Sequence, residues 1–211
     1  MIINLNDNIK RVKIDAWGLG NDVLYKLCKD HPHHKTTDEI GAKIWLIGRA
    51  YAASIERRKI KEAINDDYYD CRVIPMIKKS GIDQWIKNSK DSKDCLSAHK
   101  KTTNLFRKIS GLEKRSLASK YLHFHKPDKF FIYDSRVAGA INNLLEILKI
   151  KYPKHKTSSK TYDRNYSHFF NKCLVAQKEI LKRYNQKLKP RELDTLLIEI
   201  ANNKLRKKRT K

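Results

Sequence analysis

The chain has 211 residues and carries 47 Lys and Arg against 23 Asp and Glu, a formal net charge of +24. Hydrophobic residues make up 40% of it, enough for a core, so a wholly disordered polycation is excluded. A field of this sign concentrates polyanions, which makes nucleic acid the expected partner; no apolar run is long enough to span a membrane, and no basic helix has the bulky apolar face that would seat it on one.

Asn21 and Asp22 open a short amphipathic segment through Val23, Leu24, Leu27 and Cys28, which ends in the loop His31-Pro32-His33-His34. Thr36 and Glu39 read as a capping box, and Ile40, Ile44, Ile47, Tyr51 and Ile55 follow at helical spacing, predicting a first long helix to about Ala63. After the polar stretch Asn65 to Asp70, shorter helices are predicted around Val73 to Met76 and around Ile82, Trp85 and Ile86, with Gly81 between them. Asp94 is the expected cap of another, through Leu96 to Ile109. Ser110-Gly111 interrupts it, and Ser116 to Phe124 resumes with Leu117, Ala118, Tyr121 and Leu122 on one side, so the pattern is helix, tight hairpin, helix.

Pro127 stops the second of these helices, Phe130 to Tyr133 is an extended apolar stretch, and Asp134-Ser135 caps a long helix bearing Val137, Ile141, Leu144, Leu145 and Leu148. A polar, basic linker from Lys151 to Arg164 leads to a helix with Phe169, Phe170, Cys173, Leu174, Ile180, Leu181 and Tyr184; Pro190 starts the last, with Leu193, Leu196, Leu197 and Ile200. No strand-period alternation persists. The expected fold is all-α: one helical domain over 1–203, single or in two lobes flanking a DNA-binding cleft, followed by a basic tail at 204–211.

Cys28, Cys71, Cys95 and Cys173 stand singly, without the close pairs of a zinc ribbon or an iron-sulfur cluster, so they are expected to be reduced and mostly core, with no metal and no cofactor. Nothing before Asn4 reads as a signal peptide, and a cytoplasmic protein is expected. Without a coiled-coil heptad pattern, no obligate protein partner is expected.

The most informative stretch is Ile109-Ser110-Gly111-Leu112-Glu113-Lys114-Arg115-Ser116, followed by a helix, Pro127 and the apolar segment ending at Asp134. A hairpin between helices presents backbone N–H groups and a helix N-terminus to an anion, and Lys114, Arg115, Ser116 and Lys120 add charge and hydroxyl beside it. At a helix mouth, N-cap hydrogen bonds and the helix dipole favour a charged carboxylate, which equips Asp134 to stabilise a cation.

These residues resemble the helix-hairpin-helix DNA glycosylases with a Gly/Pro-rich loop and an essential aspartate. Gly111 matches the first hairpin glycine, and Asp134 falls at the family's aspartate. Arg115 stands where bifunctional members carry their lysine nucleophile, 134 − 115 = 19 residues before it. Glu113 replaces the second hairpin glycine and Ser110 the usual proline. The resemblance spans Leu105 to Leu148 and implies a monomer that acts on double-stranded DNA.

It further implies base flipping, Asp134 and Arg115 at the catalytic position, and Gly111, Lys114, Ser116 and Lys120 against the DNA. A guanidinium cannot form a Schiff base at neutral pH, so the implied enzyme is monofunctional and leaves an abasic site, in repair or in defence against phage. Lys114 and Lys120 stand close enough in sequence to supply a lysine nucleophile instead.

Arg57, Arg58 and Arg136 are further candidates for DNA contact, the first two at the end of the small-residue segment that starts at Gly48. His123 and His125 point to different sides of a helix, which disfavours a shared metal. Trp45, Trp85 and Tyr51 are expected in the core. Two rival functions remain: a non-catalytic helix-hairpin-helix protein that only grips the DNA backbone, and a ribonuclease using His123 or His125 with Lys120.

Overall fold

The computed structural model describes Leu5, Ile9 and residues 18–60, 67–152 and 161–209, with backbone alone for 205–209. Several helix starts in it are written by capping side chains. α1 (Gly18–Asp30) takes in residues ahead of Asn21 and buries Asn21, Leu24 and Cys28 at helical spacing. α2 (Thr37–Ala50) is opened by the expected capping box, with Glu39 N donating to Thr36 Oγ1 at 3.3 Å and Thr36 N to Glu39 Oε2 at 3.4 Å.

α2 stops at Ala50 and does not run on to Ala63. Ala52 takes a positive φ of 48°, Ala53 N donates to Gly48 O at 2.8 Å, and the chain doubles back against the helix it has just left. The close approach needs Gly48, where a Cβ would lie 3.3 Å from Ser54 Cα. Tyr51 is therefore the C-cap of α2 and Ile55 sits in the returning segment; residues 61–66, which include the expected helix end and part of the stretch Asn65 to Asp70, lie outside the described residues.

A π-helical turn (Tyr69–Val73) runs into α3 (Ile74–Lys78), and α4 (Ile82–Asn88) follows. α5 (Ser92–Ser110) is capped by Asp91, with Asp94 answering from the third helical position; Asp94 is thus the second half of a capping box and not the cap. Gly111 ends α5 in the left-handed region (φ 73°), where a Cβ would also meet Ile60 Cγ1 at 3.0 Å, so glycine is required twice over. α6 (Arg115–His125) and α7 (Ser135–Ile147) follow, the latter capped by Asp134 as expected.

α8 (Arg164–Tyr184) is capped by Asp163, and α9 (Pro190–Arg209) starts at the expected proline and carries the backbone of the basic tail as far as Arg209 into helix. Residues 153–160 of the expected linker lie outside the described residues. All regular structure among the described residues is helical, and no helix there is long and apolar enough to cross a membrane.

α6 is the central element, buried from Leu117 to Phe124, and α1, α2 and α5 pack round it. α8 and α9 pack against α7. The two groups meet where His99 of α5 stacks on Tyr166 of α8 (centroids 3.5 Å, planes 10° apart) and where Tyr166 OH donates to Phe131 O at 3.1 Å. Cys28, Cys95 and Cys173 are buried and Cys71 is exposed, all free. Trp45 is not core: it is 47% exposed on α2.

Candidate functional site

The turn between α5 and α6 is held from outside. Arg72 Nε and Tyr68 OH both donate to Ile109 O (2.8 and 3.3 Å), Arg72 Nη2 to Lys108 O at 2.9 Å, and Lys59 N to Ser110 O at 2.8 Å. The carbonyls that a helix C-terminus leaves open thus receive donors from a distant segment, which fixes the direction in which α6 departs.

Lys114 points inward. It is 9% exposed, and its Nζ donates to Ser54 O at 2.7 Å and to Arg57 O. Burial, helped by the nearby Arg57 charge, pulls its pKa down to about 8. It fastens the returning segment after α2 and does not reach out to a phosphate. Arg115 is likewise committed: Nε donates to Asp163 Oδ1 at 2.7 Å and Nη2 to Glu113 Oε2 at 3.0 Å. Burial alone would lower its pKa, but the Asp163 hydrogen bond and charge outweigh it and raise it. Glu113 therefore has a cation of its own.

Lys120, placed by the sequence among phosphate contacts, is only 3% exposed. Its Nζ donates to Ser116 Oγ at 2.8 Å, lies 3.9 Å from Asp134 Oδ2 and stands 5.6 Å from the centroid of the Tyr51 ring. Burial lowers its pKa, against the raising pull of Asp134 and Asp194. The partition of Asp134 is the notable feature: Oδ1 accepts from Arg136 N (2.9 Å) and Val137 N (3.0 Å), while Oδ2 faces Lys120. Its side chain is 33% exposed, so the carboxylate stands between a buried amine and solvent.

Tyr51 closes the group. Its OH donates to Asn21 Oδ1 at 2.5 Å, and the Arg191 guanidinium lies 5.8 Å from its ring centroid. A cavity of about 300 Å³ opens beside it, lined by Ala52 to Ser54, Arg57, Leu112 to Lys114, Ser116 and Leu117. Its wall reaches Ser116, one hydrogen bond from Lys120.

Of the other expected DNA contacts, Gly111 and the Arg57 side chain are exposed. The Arg58 guanidinium lies over the Tyr68 ring at 4.0 Å, and Arg136 donates to Asn202 of α9 at 2.5 Å. The structure thus brings together Asp134, Ser116 and Lys120, while Arg115 pairs elsewhere. Sequence reasoning missed Tyr51 as a member; the i, i+4 spacing of Ser116 and Lys120 was the visible signal for their pairing.

His34 and His123 join neighbouring elements through both ring nitrogens. His123 is fully buried, with Nδ1 donating to Phe130 O and Nε2 accepting from Tyr25 OH, each at 2.7 Å. His34 bridges Asp83 (2.5 Å) and Tyr121 OH (2.6 Å). Burial brings both pKa values down to about 4. His125 Nδ1 donates to Tyr121 O at 2.8 Å. With both nitrogens of His123 engaged and its ring sealed, that side chain has no route to a substrate.

Chemically, a carboxylate with one oxygen locked by helix amides and the other beside a buried amine is suited to stabilising positive charge and orienting a water molecule. Comparison with protein families, with curated proteins and with solved structures returned no match, so the functional reading rests on this geometry and on the sequence.

Proposed function

We propose that the protein is a DNA glycosylase that hydrolyses the N-glycosidic bond of a damaged or modified base. The observation that carries this reading is the division of Asp134, with Oδ1 on the first amides of α7 and Oδ2 3.9 Å from the buried Lys120. A net charge of +24 draws the chain onto duplex DNA. The target nucleotide leaves the stack, and its base enters the cavity between the hairpin and the segment after α2.

Asp134 then stabilises oxocarbenium-like charge on the sugar and orients a water. The water oxygen bonds to C1′ as the C1′–N bond breaks, its proton passes by way of Asp134 to the departing base, and the DNA backbone stays intact. Lys120 positions the Oδ2 side of the carboxylate. With Lys120 Nζ engaged by Ser116 and Asp134 and Lys114 Nζ by two backbone carbonyls, neither amine serves as the nucleophile, the reaction is hydrolytic, and borohydride traps no protein–DNA adduct.

The test incubates the protein and its Asp134→Asn variant with unmodified and phage-modified genomic DNAs and counts abasic sites with an aldehyde-reactive probe. Asparagine keeps the helix cap but not the charge. Base release should fall by about a hundredfold or more, as when one transition-state charge partner is removed. Duplex affinity should hold or rise, because removing a negative charge cannot reduce phosphate attraction. Base release by the variant at the wild-type rate refutes the role of Asp134. Tight binding with no base released from any DNA makes the protein a backbone-gripping module instead.

A further inference from the structure

A second cavity, of about 460 Å³, opens on another face, between α3, α4 and α5. Its walls combine two kinds of residue. Lys79, Lys101 and Lys108 bring cations, while Trp85, Met76 and Leu105 make an apolar floor, and among the described residues no carboxylate lines it. Lys101, Leu105 and Lys108 fall on one stripe of α5, so the two lysines are about 10 Å apart along the helix axis at 1.5 Å per residue. Trp85 packs closely on Gly81: a Cβ there would lie 2.9 Å from its Nε1, so any other residue at 81 would displace the indole.

We propose that this groove binds a single nucleic-acid strand, with a base stacked on Trp85 and the flanking phosphates on Lys79, Lys101 and Lys108. A duplex offers such a slot only phosphates, since its bases are stacked away; an aromatic floor under a row of cations fits an unpaired strand, whose bases are free to stack. The groove shares α5 with the hairpin, and Lys108 is the last basic residue before Gly111. A strand on this stripe therefore runs toward the turn. The inference rests on the nucleic-acid partner proposed above, not on the chemistry of Asp134.

Trp17→Phe with Trp45→Phe leaves Trp85 as the sole survivor of three tryptophans. Titration of this variant with a labelled oligothymidylate of about twelve nucleotides follows Trp85 emission and label anisotropy together. Emission should be quenched in step with binding; saturated anisotropy with unquenched Trp85 overturns the proposal. Lys101→Glu with Lys108→Glu should weaken the oligomer about tenfold, against about twofold for Lys178→Glu with Lys182→Glu, the same charge change on α8. Equal losses in the two pairs would mean that only the overall field is felt, and would overturn it too. Abasic-site formation on duplex DNA, measured in parallel, reports separately on Asp134.

Discussion

Lys120 and Lys114 show how burial decides what a cation does. Both read from sequence as phosphate ligands beside the hairpin, yet neither amine faces solvent: one meets Ser116 and Asp134, the other two backbone carbonyls. Lys120→Met should therefore lower base release by about a hundredfold while duplex affinity stays within about twofold and its salt slope is unchanged. Filter binding across a salt series decides this. A slope that drops by about one would return Lys120 to the DNA backbone. Asp134 was legible because a helix cap is a local signal of a few residues. The partner of Asp134 was not, because Lys120 comes to it through the return of the chain onto α6, where Tyr133 N donates to Ser119 Oγ at 3.0 Å.

At the level of elements, the early end of α2 shows what periodicity cannot see. Ile44, Ile47, Tyr51 and Ile55 continue a helical pattern without a break, but the backbone turns at Ala52 and returns. The competing term lies about sixty residues away, where the Lys114 ammonium supplies a donor to two carbonyls of the returning segment. Lys114→Met keeps the length and loses the donor. It should cost about 2–3 kcal/mol, the penalty for two carbonyls left short of a partner, read as a lower denaturant midpoint with unchanged slope. A loss under about 0.5 kcal/mol would show that the segment holds itself. Elements with their own start signals, such as Thr36 with Glu39, Asp134 and Pro190, were legible; those whose ends depend on tertiary donors were not.

Across the whole molecule, neutral histidines join the helices round α6. His34 links the loop after α1 to α4 and α6, and His123 links α6 to α1 and to the apolar segment before α7. In the unfolded chain both titrate near 6.5, and in the folded protein only at about 4. Between those values the unfolded state holds more protons, so stability is full above 6.5 and falls as pH drops toward about 4. At about pH 5 the loss is about 2 kcal/mol for each histidine, and Tm should fall by several degrees from its value at neutral pH. His123→Asn should be less stable at neutral pH but lose less on acidification. An acid slope as steep as that of the wild type would assign the effect to other groups.

One residue holds two posts here that ask for different chemistry. As the cap of α7, Asp134 could be exchanged for Asn, Ser or Thr with little change in the helix; as the carboxylate beside Lys120 it accepts none of them. Under the proposed reaction, lineages that no longer need it can thus drift to those three residues and keep a folded, strongly cationic protein. If base release is the activity, the identity of residue 134 among descendants of this sequence should mark which of them keep it and which keep only the helix cap.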